Sequence, residues 1–197
     1  DPTEHIPYES YWEANQANYD IENMRARGAT IKTIRLFTSS HCPNNCGFCS
    51  SCNFLNASSD LPGQKVAALP AGEVYELVQR NVKRHYPEAI FFNDDDLITP
   101  GEAGRARVME FCELVKKAKR AGRLPGDLKF YMQTKVKSLT LVDPATGDFE
   151  PDMELIKALK AAGFVLVALG VESFSQHLLD SPSINKKTEK QRAVEAI

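Results

Sequence analysis

Apolar and polar positions change period several times along the chain, and the changes predict alternating strands and helices. Residues 31–38 are rich in β-branched side chains and predict a first strand. Over 71–86, Val74, Leu77, Val78 and Val82 recur at helical spacing and predict a helix with one apolar face. The short apolar run 89–93 predicts a second strand. Over 102–121, Val108, Phe111, Cys112, Val115 and Ala118 fall on one side of a helix. A third strand is predicted over 128–134, a helix over 151–162 with Ile156 and Leu159 inward, and a fourth strand over 164–170. Residues 188–197 open a last helix. Thr99-Pro100-Gly101-Glu102 predicts a capping box with proline at the first helical position, and Thr188 with Gln191 predicts another. Gly122 and Gly163 predict helix ends.

Residues 1–30 are polar with scattered aromatics, of which Tyr8, Trp12 and Tyr19 stand near helical spacing. They predict one or two helices outside the main domain, or a linker, ended by Gly28. The main domain is then 31–197. Its strand–helix alternation predicts an α/β fold with parallel strands joined by right-handed crossovers. The near-continuous apolar strands predict a sheet covered on both faces. Four such units fit either an open doubly wound sheet or half of a βα barrel. No glycine-rich dinucleotide fingerprint follows the first strand, which counts against the usual nucleotide-binding form of the open sheet.

Composition narrows the function classes. A net charge of -2 gives no electrostatic reason to expect nucleic acid or an anionic membrane as partner. No apolar run approaches the roughly 20 residues that span a bilayer, and 1–30 hold no apolar core of a secretory signal. A cytoplasmic location is expected. The chain starts Asp1-Pro2 and stops inside a predicted helix, so a piece of a longer protein is expected. Of 5 cysteines, Cys112 sits on an apolar helix face and is expected in the core. The others cluster between 42 and 52, as metal-binding cysteines do in a reducing compartment.

Chemistry-bearing residues follow each predicted strand: the cysteines after the first, Asp94-Asp95-Asp96 after the second, Gln133 and Lys135 at the end of the third, Glu172-Ser173 after the fourth. Parallel strands end on one edge, where α/β sheets and barrels bind ligands. Cys42, Cys46 and Cys49 can wrap one cubane and leave its fourth iron open to a chelating ligand. Two other uses fit the same loop. A structural zinc site would take Cys46, Cys49, Cys52 and either Cys42 or His41, and a ferredoxin-like cluster would take Cys52 as fourth ligand. Cys52 is otherwise a spare thiol, and His41 has no assigned role. Because Thr99 is expected to cap the following helix, the three aspartates need a separate purpose.

Cys42-x-x-x-Cys46-x-Phe48-Cys49 after a first strand resembles the signature of the radical S-adenosylmethionine (SAM) superfamily. Phe91-Phe92-Asn93-Asp94-Asp95-Asp96-Leu97 resembles its acidic motif at strand two. Leu169-Gly170-Val171-Glu172-Ser173, followed by Ile184-Asn185-Lys186, resembles its strand-four segment. Together they are most similar to the branch with an upstream cobalamin-binding domain, which includes the magnesium-protoporphyrin monomethyl ester cyclases. The resemblance spans about 31–197. It implies half to two-thirds of a partial TIM-type barrel, without strands five and six.

The resemblance further implies an iron–sulfur oxidoreductase with a [4Fe–4S] cluster on Cys42, Cys46 and Cys49. SAM would chelate the open iron and be cleaved reductively, and a 5′-deoxyadenosyl radical would take hydrogen from a small-molecule substrate. Flavodoxin or ferredoxin would donate the electron, and another domain would hold cobalamin. Asp94 or Asp95 would accept hydrogen bonds from the SAM ammonium; capping and a divalent metal such as Mg²⁺ are their other uses. Glu172 and Ser173 would contact the ribose or amino end, or Glu172 would pair with Lys186 or Lys135. Gln133 is a further contact. Phe48 would pack beside cluster or adenine, or serve as a plain anchor. An iron–sulfur electron-transfer module and a zinc-stabilised binding domain remain the other functional classes. The chain alone is expected to be inactive. Its apolar fourth strand is expected to be covered by a second copy or by 1–30.

Overall fold

The structure is a computed structural model that describes residues 5–40, 42, 46–51, 66–184 and 194. The expectations for His41, Cys52, Asn185 and Lys186, and for the helix over 188–197 with its capping pair, lie outside the described residues.

Four strands form one wholly parallel sheet in the order β1-β2-β3-β6: β1 (Thr33–Leu36), β2 (Ala89–Phe92), β3 (Lys129–Lys135) and β6 (Phe164–Gly170). Three helices make the crossovers: α3 (Ala71–His85), α4 (Glu102–Arg120) and α5 (Met153–Ala162). Strand register explains which side chains meet them. Ile34, Ile90 and Phe130 lie in one row, and Leu36, Phe92 and Met132 in another. Because side chains alternate along a strand, both rows share a face, and all six are buried against the helices. Val74 and Val78 of α3, Phe111 and Val115 of α4 and Leu155 and Leu159 of α5 fill the facing layer. Phe92, Phe111, Phe130 and Phe164 meet at its centre, with Phe130 and Phe164 centroids 5.3 Å apart.

The opposite face carries Arg35, Phe91, Tyr131, Gln133, Lys135 and Leu166 by the same register, and among the described residues no helix covers it at β6. Leu166 is 51% exposed and Val165 58%. The expectation of a sheet buried on both faces is therefore corrected. The apolar run of β6 has another origin: its register shifts after Phe130, so that Tyr131 pairs with Leu166. Val165 is the extra residue of a β-bulge, and Phe164, Val167 and Leu169 all reach the core in spite of their odd spacing.

Several element ends differ from the sequence expectation, each for a local reason. β1 is shorter than 31–38 because the Ile31 and Lys32 amides donate to the Glu88 carboxylate (2.8 and 3.3 Å) while Thr38 turns to Asp94. No capping box starts α4. Gly101 is its N-cap, Pro100 precedes it, and Thr99 is held elsewhere: its carbonyl lies across the first helical turn, where a Cβ on Gly104 would collide with it. α5 starts at Met153 rather than Pro151 because Asp152 caps it, accepting from the Leu155 amide at 3.0 Å. Ile156 is only half-buried, and Leu155, Ala158, Leu159 and Ala162 form the inner stripe.

Between β3 and α5 the chain forms an antiparallel ribbon of β4 (Thr140–Val142) and β5 (Phe149–Pro151), which its short strands hid in the sequence. A short α6 (Gln176–Asp180) after β6 was likewise not foreseen. The N-terminal residues form α1 (Tyr8–Asn18) and α2 (Ile21–Ala26). Tyr8 and Trp12 are buried, Tyr8 edge-on to His85 of α3, and Glu9 bonds the His85 ring at 2.7 Å. Tyr19 is exposed. α1 thus sits beside β1 and α3, so residues 5–30 do not cover the β6 edge. No helix among the described residues is long and apolar enough to cross a membrane.

Candidate functional site

The loop that carries the cysteines leaves β1 through a zipped neck. Leu69 donates its amide to the Thr38 carbonyl and Ser40 donates to Ala67, both at 2.8 Å, and Ser39 bridges Ala68 in antiparallel sense. Asp94, directly after β2, ties this neck to the sheet. Its carboxylate accepts from the Thr38 amide (2.8 Å), the Thr38 hydroxyl (3.1 Å) and the Ser39 hydroxyl (2.6 Å), and it is 1% exposed.

Arg107 of α4 completes the knot. Nη1 donates to Thr38 Oγ1 and to the Leu69 carbonyl, and Nη2 donates to the Leu97 carbonyl at 2.6 Å. One guanidinium thereby holds both sides of the neck and the loop after β2. Burial pulls its pKa below the ordinary value, and the Asp94 carboxylate opposes that pull. No sequence motif marks Arg107; its only local signal is a cation one residue before Val108 and four before Phe111, next to an apolar stripe.

The three consecutive aspartates divide their work. Asp96 is buried and accepts from the Thr134 hydroxyl of β3 at 2.7 Å. Asp95, between its two buried neighbours, is exposed toward the cysteine loop and accepts from the Ser51 hydroxyl at 2.6 Å. Alternation along an extended segment puts its two neighbours on the sheet side and Asp95 on the site side. Thr99 does not cap α4, yet the outer two aspartates still have structural work.

At the C-terminal ends of the strands is a pocket of about 310 Å³, lined by Cys42, Cys46, Cys49 and Phe48 from the loop, Asp95 after β2, Gln133 and Lys135 of β3, and Glu172 after β6. Cys46 is buried, Cys42 and Cys49 half-buried, and Phe48 51% exposed. All three thiols are free of disulfides. Among the described residues no three His, Cys, Asp or Glu side chains close on a point as the ligands of a single ion do. The three thiols line the pocket as soft sulfur donors, the ligand type that iron–sulfur clusters and zinc both use.

Glu172 adopts a left-handed backbone with φ of 62°, a conformation that costs a non-glycine residue about 1–2 kcal/mol. Such strain is found where a side chain must be aimed. Ser173 does not line the pocket: its hydroxyl accepts from the Ser175 amide at 3.0 Å in the turn before α6. The segment after α6 returns to the cysteine loop, where the Gly47 amide donates to the Ile184 carbonyl at 3.1 Å. A Cβ on Gly47 would stand 2.7 Å from the Ser183 carbonyl oxygen and 2.8 Å from that of Pro182. Gly47 was not singled out from sequence, where the close approach leaves no signal.

No protein-family model and no curated protein matches this chain. Solved structures do match its fold. The cobalamin-dependent SAM radical enzyme OxsB, with aqua-cobalamin and SAM bound, aligns with a TM-score of 0.58 at 20% identity over 83% of this chain and 21% of that one. The radical SAM methyltransferase TsrM from Kitasatospora setae, with tryptophan and a SAM analogue bound, aligns with a TM-score of 0.55 at 15% identity, over 81% of this chain and 25% of that one. Methylornithine synthase aligns with a TM-score of 0.50 at 16% identity, over 83% and 39%. The chain therefore spans about a fifth of OxsB and a quarter of TsrM. Of the two architectures left open by the sequence, the fold is that of the partial TIM-type barrel of radical SAM enzymes.

Proposed function

We propose that the chain is the cluster-bearing part of a radical SAM enzyme of the cobalamin-associated branch. The observation that carries this reading is the pocket itself. Three thiols from the β1 loop share it with Asp95, Gln133 and Glu172, at the strand ends of a fold that radical SAM enzymes also use. A [4Fe–4S] cluster on Cys42, Cys46 and Cys49 would supply the electron that cleaves SAM.

The residues of this chain would bind and orient. Asp95 and Glu172 offer carboxylate acceptors to an ammonium or to ribose hydroxyls. Gln133 offers both a donor and an acceptor, and Phe48 a flat apolar flank. Asp94 acts one step back: its oxygens hold the neck of the loop. Ser173 shapes the turn that aims Glu172. The substrate would be a small molecule, the electron donor a flavodoxin or ferredoxin, cobalamin the ligand of another domain, and the location cytoplasmic.

Anaerobic reconstitution of the full chain tests the reading. About four irons per chain, lost in C42A, C46A and C49A and kept in C112A, are expected, with an EPR signal that changes on adding SAM. Zinc without iron would favour the binding-domain reading. A cluster lost in C52A and indifferent to SAM would favour the electron carrier.

A further inference from the structure

A second and larger concavity lies away from the cysteines. It is an open groove of about 1190 Å³ along the β1 edge, between α1 and the uncovered face of the sheet. Among the described residues it shares no lining residue with the cysteine pocket. Its wall is aromatic, built from Tyr11, Trp12, Phe37 and Phe91. Tyr11 and Phe37 are 62% and 64% exposed, so both rings are open to a ligand in the groove.

Among the described residues that line the groove, Arg35 is a cation and none is a carboxylate, although the chain as a whole is net negative. Arg35 is pre-set. Its guanidinium carbon lies 5.0 Å from the Phe91 ring centroid, and Nη1 donates to Asn93 Oδ1 at 3.0 Å. A neutral amide and an aromatic face fix the planar fork without neutralising it, and no described carboxylate pairs with it. A fork so held binds a carboxylate or phosphate through its remaining N–H groups with little loss of side-chain freedom.

We infer that this groove binds a flat apolar anion, its carboxylate or phosphate on Arg35 and its body against the aromatic wall. The site stands independently of the cluster and can be examined in protein that carries none.

Titration calorimetry on the full chain, with naphthoate, naphthyl phosphate and neutral naphthamide as probes, tests the inference. At least one of the two anions should bind saturably, about tenfold or more tighter than the amide. Which anion binds better identifies the headgroup. Arg35→Gln keeps an amide for Asn93 and should weaken the anion by about tenfold while leaving the amide unchanged. Trp12 is the only tryptophan, so its single indole N–H resonance reports the location and should shift with the anion. Because Arg35 is exposed, R35Q is expected to unfold at the wild-type temperature. Naphthamide binding as tightly as both anions, or R35Q leaving anion affinity unchanged, would overturn the inference. So would an unmoved Trp12 resonance.

Discussion

Asp94 and Thr38, at the ends of two neighbouring parallel strands, are joined twice: the carboxylate takes the Thr38 amide at 2.8 Å and its hydroxyl at 3.1 Å. The start of the cysteine loop is thereby fixed to β2. Asp95, one residue on, makes its contact at the exposed side of the same segment. The two carboxylates should behave differently. Asp94→Ala strands buried donors and leaves Arg107 without its nearest balancing charge, and should cost about 2–4 kcal/mol in urea unfolding. Asp95→Ala should change stability by no more than about 0.5 kcal/mol. Equal losses would contradict this division of roles.

A second pair sets an acid limit on stability. Arg105 of α4 grips Asp152 with Nε at 2.6 Å and Nη2 at 3.0 Å, while Asp152 also caps α5. Burial alone would raise the Asp152 pKa, but the hydrogen bonds from Arg105 and the Leu155 amide outweigh it and hold it below the ordinary value. A lowered folded-state pKa stabilises above the unfolded value of about 3.9, and the gain disappears as pH falls through the folded value. Asp152→Asn should cost about 1–3 kcal/mol at pH 7. Its deficit against wild type should shrink toward pH 3 in denaturation series. A pH-independent deficit would mean that charge plays no part.

Gly47 has no room for a methyl group against the Pro182 and Ser183 carbonyls. Gly47→Ala should separate the cysteine loop from the segment after α6, because two carbonyl oxygens cannot yield as a flexible side chain would. Both partners are loops, so global stability should fall by less than about 1 kcal/mol. Limited proteolysis after α6 should nevertheless quicken and reconstituted iron content fall. Unchanged proteolysis would show that the contact is dispensable.

Val165 and Leu166 give β6 an apolar flank that no other strand pairs among the described residues. Exposed edges of this kind recruit partners. Light scattering after gel filtration should show association that grows with concentration, and Leu166→Lys should shift the chain toward monomer. A wild-type chain that stays strictly monomeric at high concentration would remove the argument.

Local periodicity in the sequence determined much of this protein. The helical stripes of α3 and α4 and the apolar strands carry their own signal, and their alternation forces a parallel sheet whose ends converge. That convergence predicts the cysteines, Asp94–Asp96, Gln133, Lys135 and Glu172-Ser173 at one sheet edge; of these, Cys42, Cys46, Cys49, Asp95, Gln133, Lys135 and Glu172 line the pocket, and Asp94, Asp96 and Ser173 do not. Capping was less legible, because Thr99 and Asp152 satisfy similar local rules and only the path of the β2–α4 loop decides which one caps a helix. Tertiary structure alone decided the rest. Asp94 and Asp95 are identical neighbours until β1 lies alongside β2 and draws one carboxylate inward. Arg107 and Gly47 act across 69 and 137 residues of chain respectively, and no local pattern records such approaches. The bulge at Val165 defeated the two-residue period, so the strand that reads as most buried carries the most exposed apolar flank. Side-chain period is a property of the chain; coverage depends on which layers the folded sheet meets.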